Sequence, residues 1–134
     1  MRIISIEVGE IKISAELNES ETADIIYNNL PLSGNTNIWG DEIYFNIPFH
    51  IDQSADAVQD VELGGLGYWP AGDAFCIFFG PTPVSINELP RAYSPVNLFG
   101  KVKGDSRILK QVNNGQTIKV SKEAYVCLKK SSIS

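Results

Sequence analysis

Histidine and cysteine, which hold many protein-bound metal ions, are scarce in this sequence of 134 residues. His50 is the only histidine, and neither Cys76 nor Cys127 has a second cysteine at the spacing of a metal site. Gly64–Gly67 lacks the lysine and the serine or threonine of a phosphate-binding loop, so it indicates a turn. We therefore expect no metal and no cofactor. Because the cysteines are far apart in a chain that needs no covalent staple, they predict buried thiols rather than a disulfide.

Long apolar runs are also missing. No stretch approaches the roughly 20 residues that a membrane-spanning helix needs. The first residues include an arginine and several isoleucines, but Glu7 and Glu10 interrupt any core of a secretory signal. We therefore expect a mature, cytoplasmic protein without a membrane segment. Its length predicts one domain over residues 1–134.

A basic surface is not expected either, because the net charge is −5. Residues 1–62 contain twelve acidic and two basic side chains, whereas residues 63–134 contain nine basic and four acidic ones. The basic residues of the second half are scattered and form no compact run. Since a nucleic-acid-binding face needs clustered basic residues with interleaved aromatic ones, nucleic acid is not a predicted partner.

The clearest pattern in the sequence is the alternation of a β-strand. Ile4, Ile6 and Val8 alternate with polar residues, and the same alternation resumes over residues 11–17. Only Gly9-Glu10 separates the two runs. A two-residue connection that starts with glycine predicts a tight β-hairpin.

A short helix is predicted next. Asn18–Glu21 matches a capping box, in which the first and last side chains satisfy each other's backbone N–H groups. Ala23, Ile26 and Leu30 then fall on one apolar stripe, and Pro31 ends the helix. The stripe predicts a helix that packs on a sheet.

The rest of the chain favours short strands separated by glycine and proline. The predicted strands are Asn35–Trp39, Glu42–Ile47, Gly67–Trp69, Ala74–Phe79, Val96–Lys103, Thr117–Val120 and Ala124–Leu128. A second short helix is predicted at Ser106–Val112, and irregular structure at 52–62 and through most of 80–95. About eight strands and two short helices predict a closed antiparallel barrel, since closure removes exposed strand edges.

Several segments resemble a known family. Leu98–Gly104, which is followed by a helix and a last strand, resembles the C-terminal third of cyclophilins. Trp39–Phe45, Tyr68–Pro70 and Gly72–Pro83 resemble the short prokaryotic cyclophilin-like proteins, most of them of unassigned function, and this resemblance covers nearly the whole chain. It implies a mainly β fold, a closed eight-stranded cyclophilin-like barrel capped by two short helices.

The resemblance to active cyclophilins is only partial. Those prolyl isomerases use an arginine that donates to the prolyl nitrogen, with glutamine, tryptophan and histidine nearby. Here no arginine lies between Arg2 and Arg91, and the aromatic strand Phe75–Phe79 lacks the glutamine. Val96 occupies the position of the histidine. If the chain is a catalyst, Arg91 is the candidate that replaces the usual arginine.

The strand Ala74–Phe79 is apolar on both faces, although one face of an antiparallel strand is normally polar. Its outer face is therefore either covered by another segment or open as a ligand-binding groove. The residues predicted to bind a ligand in such a groove are Trp39, Tyr44, Tyr68, Phe75, Ile77 and Phe79.

Three functions remain open at this point. The favoured one is a non-catalytic module that binds a peptide or a small molecule in the apolar groove. The second is a divergent peptidyl-prolyl cis-trans isomerase that uses Arg91 or another late residue. The third is a structural or assembly subunit whose apolar strand face forms an oligomer interface. The sequence leaves the oligomeric state open.

Overall fold

The first two strands form the hairpin that the alternating pattern predicts. The computed structural model describes residues 2–123. Strand β1 (Ile3–Val8) pairs with β2 (Ile11–Leu17) in antiparallel register, with Val8 opposite Ile11. Gly9 has a φ of 59°, which other L residues rarely adopt, so glycine is needed at the first position of the turn.

Helix α1 (Glu21–Asn28) is capped differently from the prediction. The capping box places Asn18 at the helix start, whereas the Ser20 hydroxyl accepts the hydrogen bond from the Ala23 backbone N–H, at 3.1 Å. The side-chain oxygen of Asn18 instead accepts from the Ser20 backbone N–H at 3.0 Å, which forms a turn before the helix. Ala23 and Ile26 are buried, so the helix packs on the sheet as its apolar stripe predicts.

Eight further strands follow α1 in the described residues. They are β3 (Leu32–Asn35), β4 (Asn37–Ile38), β5 (Glu42–Asn46), β6 (Val58–Asp60), β7 (Gly65–Trp69), β8 (Ala74–Phe78), β9 (Arg91–Val102) and β10 (Thr117–Lys122). A 3₁₀ helix, Ser106–Gln111, lies where the second short helix is predicted. Within residues 2–123 no helix is long and apolar enough to cross a membrane. The predicted strand Ala124–Leu128 lies outside the described residues.

The predicted closed, eight-stranded barrel is wrong. The described residues contain ten strands in the order β3-β10-β1-β2-β9-β7-β8-β5-β4, with β6 paired to β9, and no ladder joins the end strands β3 and β4. Only Thr36 separates these two strands, which is too short a connection for a hairpin. Its backbone N–H donates to the Gln116 carbonyl at 2.8 Å and its hydroxyl to the Asn113 carbonyl at 2.7 Å. Thr36 is thereby fixed to the loop before β10, and the sheet stays open.

The strand count also differs for local reasons. Strand β6 lies inside the predicted irregular segment 52–62, and β9 begins earlier than predicted and includes Pro95. Asp60 lies opposite Arg91 and Val58 opposite Val96, so β9 has extra residues that bulge between these two pairs. The bulge accommodates Pro95, which has no N–H to give to the ladder.

Alternation along β5, β7 and β8 divides the apolar residues into two layers. The inner layer is the main core, where the Phe75 ring stacks on Phe45 with 5.1 Å between centroids and meets Phe99 edge-on at 5.0 Å. The outer layer is a smaller cluster on the opposite face of these strands, formed by Val61, Ala74, Cys76, Phe78, Ala92 and Val96. The first half of β9 and the residue after β6 therefore cover the outer face of β8 from within the chain.

Candidate functional site

The outer layer contains a cavity of about 170 Å³. The strand register explains which side chains reach it. Glu42 lies opposite Phe78, and Tyr44 lies opposite Cys76, so these residues share the outer face of β5 and β8. The cavity is lined mostly by apolar and aromatic side chains, namely Trp39, Glu42, Tyr44, Trp69, Cys76, Ala92, Tyr93 and Val96.

Small side chains leave room for the cavity. Cys76 of β8 and Ala92 of β9 line it, and Gly67 of β7 lies opposite Cys76. A Cβ atom on Gly67 would lie 2.9 Å from Cγ2 of Val96. The missing side chain therefore lets Val96 pack directly on the sheet, and the larger rings enclose the remaining space.

A tight hairpin turn holds Trp39 and Glu42 at the same end of the cavity. The Trp39 N–H donates to the Glu42 carbonyl at 2.9 Å, and the Glu42 N–H donates to the Trp39 carbonyl at 3.1 Å. Gly40, the first residue of the turn, has a φ of 61°. The Asp41 N–H donates to the Pro81 carbonyl at 3.0 Å, so the turn is also bound to the segment that follows β8. Both side chains are thereby placed by backbone hydrogen bonds.

Three aromatic rings form walls of the cavity, and two of them stand nearly perpendicular to the third. The Tyr93 ring meets Trp39 at 6.0 Å between centroids and 75° between planes, and it meets Trp69 at 6.1 Å and 82°. The Trp69 indole N–H donates to the Ser94 hydroxyl at 2.6 Å, which fixes the orientation of that ring. Tyr93 is 67% exposed, so it lies at the mouth of the cavity. These contacts make an aromatic box that is open on the Tyr93 side.

Glu42 is the one acidic side chain of the cavity wall. It is only 6% exposed, and this burial raises the pKa of its carboxyl group from 4.5 to about 7, while a hydrogen bond with the Cys76 thiol acts in the opposite direction. Burial, and then the nearby Glu42 charge, raise the pKa of Cys76 well above its ordinary value. No lysine or arginine lines the cavity in the described residues. The site therefore offers a carboxyl group that ionises near neutral pH without a cationic partner.

The structure divides the predicted ligand-binding residues between the two layers. Trp39 and Tyr44 line the cavity. Phe75 and Ile77 of β8, which are predicted to bind a ligand, face the inner layer. Cys76, which lies between them in the strand, faces the cavity. The residues of the predicted set that lie in the inner layer, each at most 2% exposed, are Tyr68, Phe75, Ile77 and Phe79.

Arg91 does not line the cavity. It is the first residue of β9, and its Nε lies 3.6 Å from Oδ1 of Asp60. Its Nη2 donates to Oε1 of Gln59 at 3.4 Å, so the guanidinium faces β6. Val96, which occupies the position of the cyclophilin histidine, does line the cavity and contributes only apolar surface.

Sequence reasoning missed several residues of the cavity wall. Glu42 carries a signal that could have found it, because it is the charged residue of a strand that is otherwise apolar, aromatic or neutral. Tyr93 carries no such signal, since it lies among prolines in a segment where regular structure is not predicted. Ala92 lacks one too, because its role is to leave space.

A second polar cluster lies outside the cavity. The Asp73 carboxylate accepts from the Tyr68 hydroxyl at 2.8 Å and contacts His50 Nδ1 at 2.6 Å, and the Tyr68 hydroxyl accepts from the Ile51 N–H at 2.9 Å. The hydrogen bond with Asp73 raises the pKa of His50, the same contact lowers that of Asp73, and burial raises the pKa of Tyr68 to about 12. The cluster fastens residues 50–51 to the turn between β7 and β8. Among residues 2–123, no three His, Cys, Asp or Glu side chains are arranged to hold a metal ion.

The fold and the cavity define a mainly antiparallel β protein with an aromatic box on the outer face of its sheet. The family model described as Cyclophilin-like matches residues 2–121, and the chain belongs to this family. The predicted membership of the short prokaryotic cyclophilin-like proteins is therefore confirmed.

The solved structures that are similar to this chain include the following two. The hypothetical protein AF2241 from Archaeoglobus fulgidus has 34% sequence identity and a TM-score of 0.78, over 91% of this chain and 95% of AF2241. McbB, solved in complex with tryptophan, has 15% identity and a TM-score of 0.63, over 90% of this chain and 45% of McbB. At that identity the likeness to McbB concerns the fold alone. No curated protein matches the sequence.

Proposed function

We propose that this cyclophilin-like protein binds a small, largely apolar molecule in the cavity of the outer layer. The observation that carries the proposal is the composition of the wall, in which two tryptophans and two tyrosines surround about 170 Å³. Aromatic rings with a polar edge are typical of small-ligand pockets. Since an apolar cavity of about 150 Å³ binds benzene, this space suits one ring or one branched alkyl group.

A small molecule fits this site better than a peptide does. Peptides that add to a sheet need a free strand edge along which to pair. The cavity lies over the face of β8 instead, and Ala92 and Val96 of β9 lie over it. An extended chain would therefore have to displace β9 before it reached Cys76.

The two alternative functions have less support. A prolyl isomerase needs a cation at the prolyl nitrogen, but the Arg91 guanidinium is engaged by Asp60 and Gln59. An assembly subunit needs an uncovered apolar face, but Cys76 and Phe78 already pack against Val61, Ala92 and Val96 of their own chain. Neither alternative explains why the aromatic rings converge on one space.

Nuclear magnetic resonance offers a direct test, because Trp39 and Trp69 are the only tryptophans and give two separate indole N–H signals. Indole and 3,3-dimethyl-1-butanol serve as neutral probes, because one is a small aromatic compound and the other carries one branched alkyl group. We expect a saturable shift of both signals with one binding site per chain. Ala92→Leu fills the cavity, so it should abolish this shift.

The matched control for that variant is Ala55→Leu. It makes the same substitution at an exposed position that does not line the cavity, so binding should stay at the wild-type level. Binding that Ala92→Leu leaves unchanged would place the ligand elsewhere. The proposal is refuted if neither neutral probe causes a saturable shift and the cation choline causes none either.

A further inference from the structure

Glu42 gives the cavity a property that an apolar ligand alone does not explain. Glu42 is 6% exposed, and no lysine, arginine or histidine forms an ion pair with its carboxyl group in residues 2–123. A buried carboxylate is costly unless an opposite charge or hydrogen bonds compensate it. The thiol of Cys76 is a weak donor and also donates to the Ala74 carbonyl at 3.7 Å, so it supplies only a small part of that compensation. The missing partner is a positive charge.

The rings around Glu42 suit the same charge. A cation within about 6 Å of the face of tryptophan or tyrosine is attracted by the ring quadrupole, and aromatic cages of this kind hold alkylammonium groups. Trp39 and Trp69 each stand nearly perpendicular to Tyr93, so the rings bound the space on more than one side. A metal ion is a poor fit because it needs several strong oxygen, nitrogen or sulfur ligands, whereas this wall has one carboxylate, one neutral thiol and two neutral tyrosine hydroxyls.

We propose that the cavity selects a small alkylammonium ion, with Glu42 as its counter-ion and Trp39, Trp69 and Tyr93 as its aromatic cage. The inference rests on the proposed function, because it names the class of ligand for the same cavity. An alkylammonium group combines an apolar surface, which the rings cover, with a charge, which the carboxylate neutralises. A neutral molecule of equal shape obtains only the first contribution.

Proton linkage gives the proposal a signature. The cation binds the ionised carboxylate, and burial raises the pKa of Glu42 to about 7, so protons compete with the ligand below neutral pH. Affinity for the cation should therefore rise with pH up to about 7 and then level off, with a difference of up to about 30-fold between pH 5.5 and 8. The other titratable groups on the cavity wall are Tyr44 on β5, Cys76 on β8 and Tyr93 on β9. Burial keeps the Cys76 thiol neutral in this range.

Choline and 3,3-dimethyl-1-butanol make a matched pair of probes, because they differ only in the charged nitrogen that replaces a carbon. Their affinities can be compared through the indole N–H signals of Trp39 and Trp69, for the wild-type protein and Glu42→Gln, at pH 5.5 and 8. At pH 8 the wild type should bind choline at least about tenfold more tightly than the alcohol. Glu42→Gln should bind both with similar affinity at both pH values. Its binding of the alcohol shows that the variant is folded and its cavity intact.

Each other outcome overturns a defined claim. If the wild type binds both probes equally at pH 8, the cavity is a site for neutral molecules, and the ammonium inference fails while the proposed function stands. If Glu42→Gln keeps the preference for choline, Glu42 is not the counter-ion, and the inference fails. If neither probe binds the wild type, the inference fails, and the proposed function fails with it when indole does not bind either.

Discussion

Glu42 carries an ionisable carboxyl group at a buried position, and this affects how the stability of the protein depends on pH. A carboxyl group whose pKa is higher in the folded than in the unfolded chain binds its proton more tightly in the folded state. Its contribution to stability is therefore complete below the unfolded pKa and is lost as the pH rises through the folded pKa. For Glu42 this window runs from 4.5 to about 7.

Glu42→Gln should accordingly become more stable than the wild type as the pH rises. Each pKa unit corresponds to about 1.4 kcal/mol, so the free energy of unfolding of the wild type should fall relative to the variant by up to about 3 kcal/mol between pH 5 and 8. Urea titrations of both proteins at several pH values measure this difference. The titrations of His50 and Asp73 are common to both proteins and cancel. A difference independent of pH would contradict a raised pKa at Glu42.

At the scale of the element, the turn between β4 and β5 determines where the cavity wall stands. Gly40 has a φ of 61°, and a Cβ atom there would lie 2.8 Å from Cα of Thr82 and 2.9 Å from Cδ of Pro83. Neither atom is the end of a flexible side chain, so the turn itself would have to move. Trp39 and Glu42 would move with it, since backbone hydrogen bonds join them across the turn.

Gly40→Ala should therefore reduce both stability and ligand binding. The left-handed conformation costs about 1–2 kcal/mol for a residue with a Cβ atom, and the clash adds about 1–3 kcal/mol. Gly104→Ala is the matched control, because Gly104 has a φ of 82° but its Cβ atom would meet nothing within 4 Å. Gly104→Ala should lose only about 1–2 kcal/mol, the cost of the left-handed conformation, and should bind the ligand normally. Urea unfolding and the indole N–H titration measure both effects, and equal losses in the two variants would show that the contact with residues 82–83 is unimportant.

Strand β8 shows which properties of a strand the sequence predicts and which it does not. Its apolar residues predict a strand with two apolar faces, and the structure confirms this, since one face lies in the inner layer and the other in the outer layer. The sequence does not indicate which face is which. The residues on both faces of the strand are apolar, so their alternation is compatible with either face pointing to the inner layer. The direction is decided by the neighbours, because Tyr44 and Trp69 of the adjacent strands share the outer face with Cys76 and Ala74.

For the whole molecule, the two layers should respond differently to truncation. Phe75→Ala removes a ring from the centre of the inner layer and should lower the free energy of unfolding by about 3–5 kcal/mol. Cys76→Ala changes the adjacent residue in the outer layer, where the lost volume is small and adjoins an existing cavity. We expect it to cost about 1 kcal/mol and to change ligand affinity. Urea unfolding and the ligand titration separate the two effects. Similar losses of stability would contradict the division into layers.

The sequence by itself determined the local elements and the family. The β1–β2 hairpin follows from alternation around Gly9, the helix from its apolar stripe, and the family from motifs such as Gly72–Pro83. These features depend on residues that are close together in the chain, so local sequence patterns are enough to predict them. The absence of arginine between residues 2 and 91 is equally plain in the sequence.

Only the tertiary structure decided that the sheet is open and where the cavity lies. The strand order, with β3 beside β10 and β4 beside β5, leaves the sheet open, and the return of β9 over the outer face of β8 creates the cavity. Such pairings join residues that are distant in sequence, so no local pattern encodes them. No local pattern encodes the ionisation behaviour of Glu42 either. Its raised pKa arises from burial among side chains of β8 and β9, and only the folded chain brings these together.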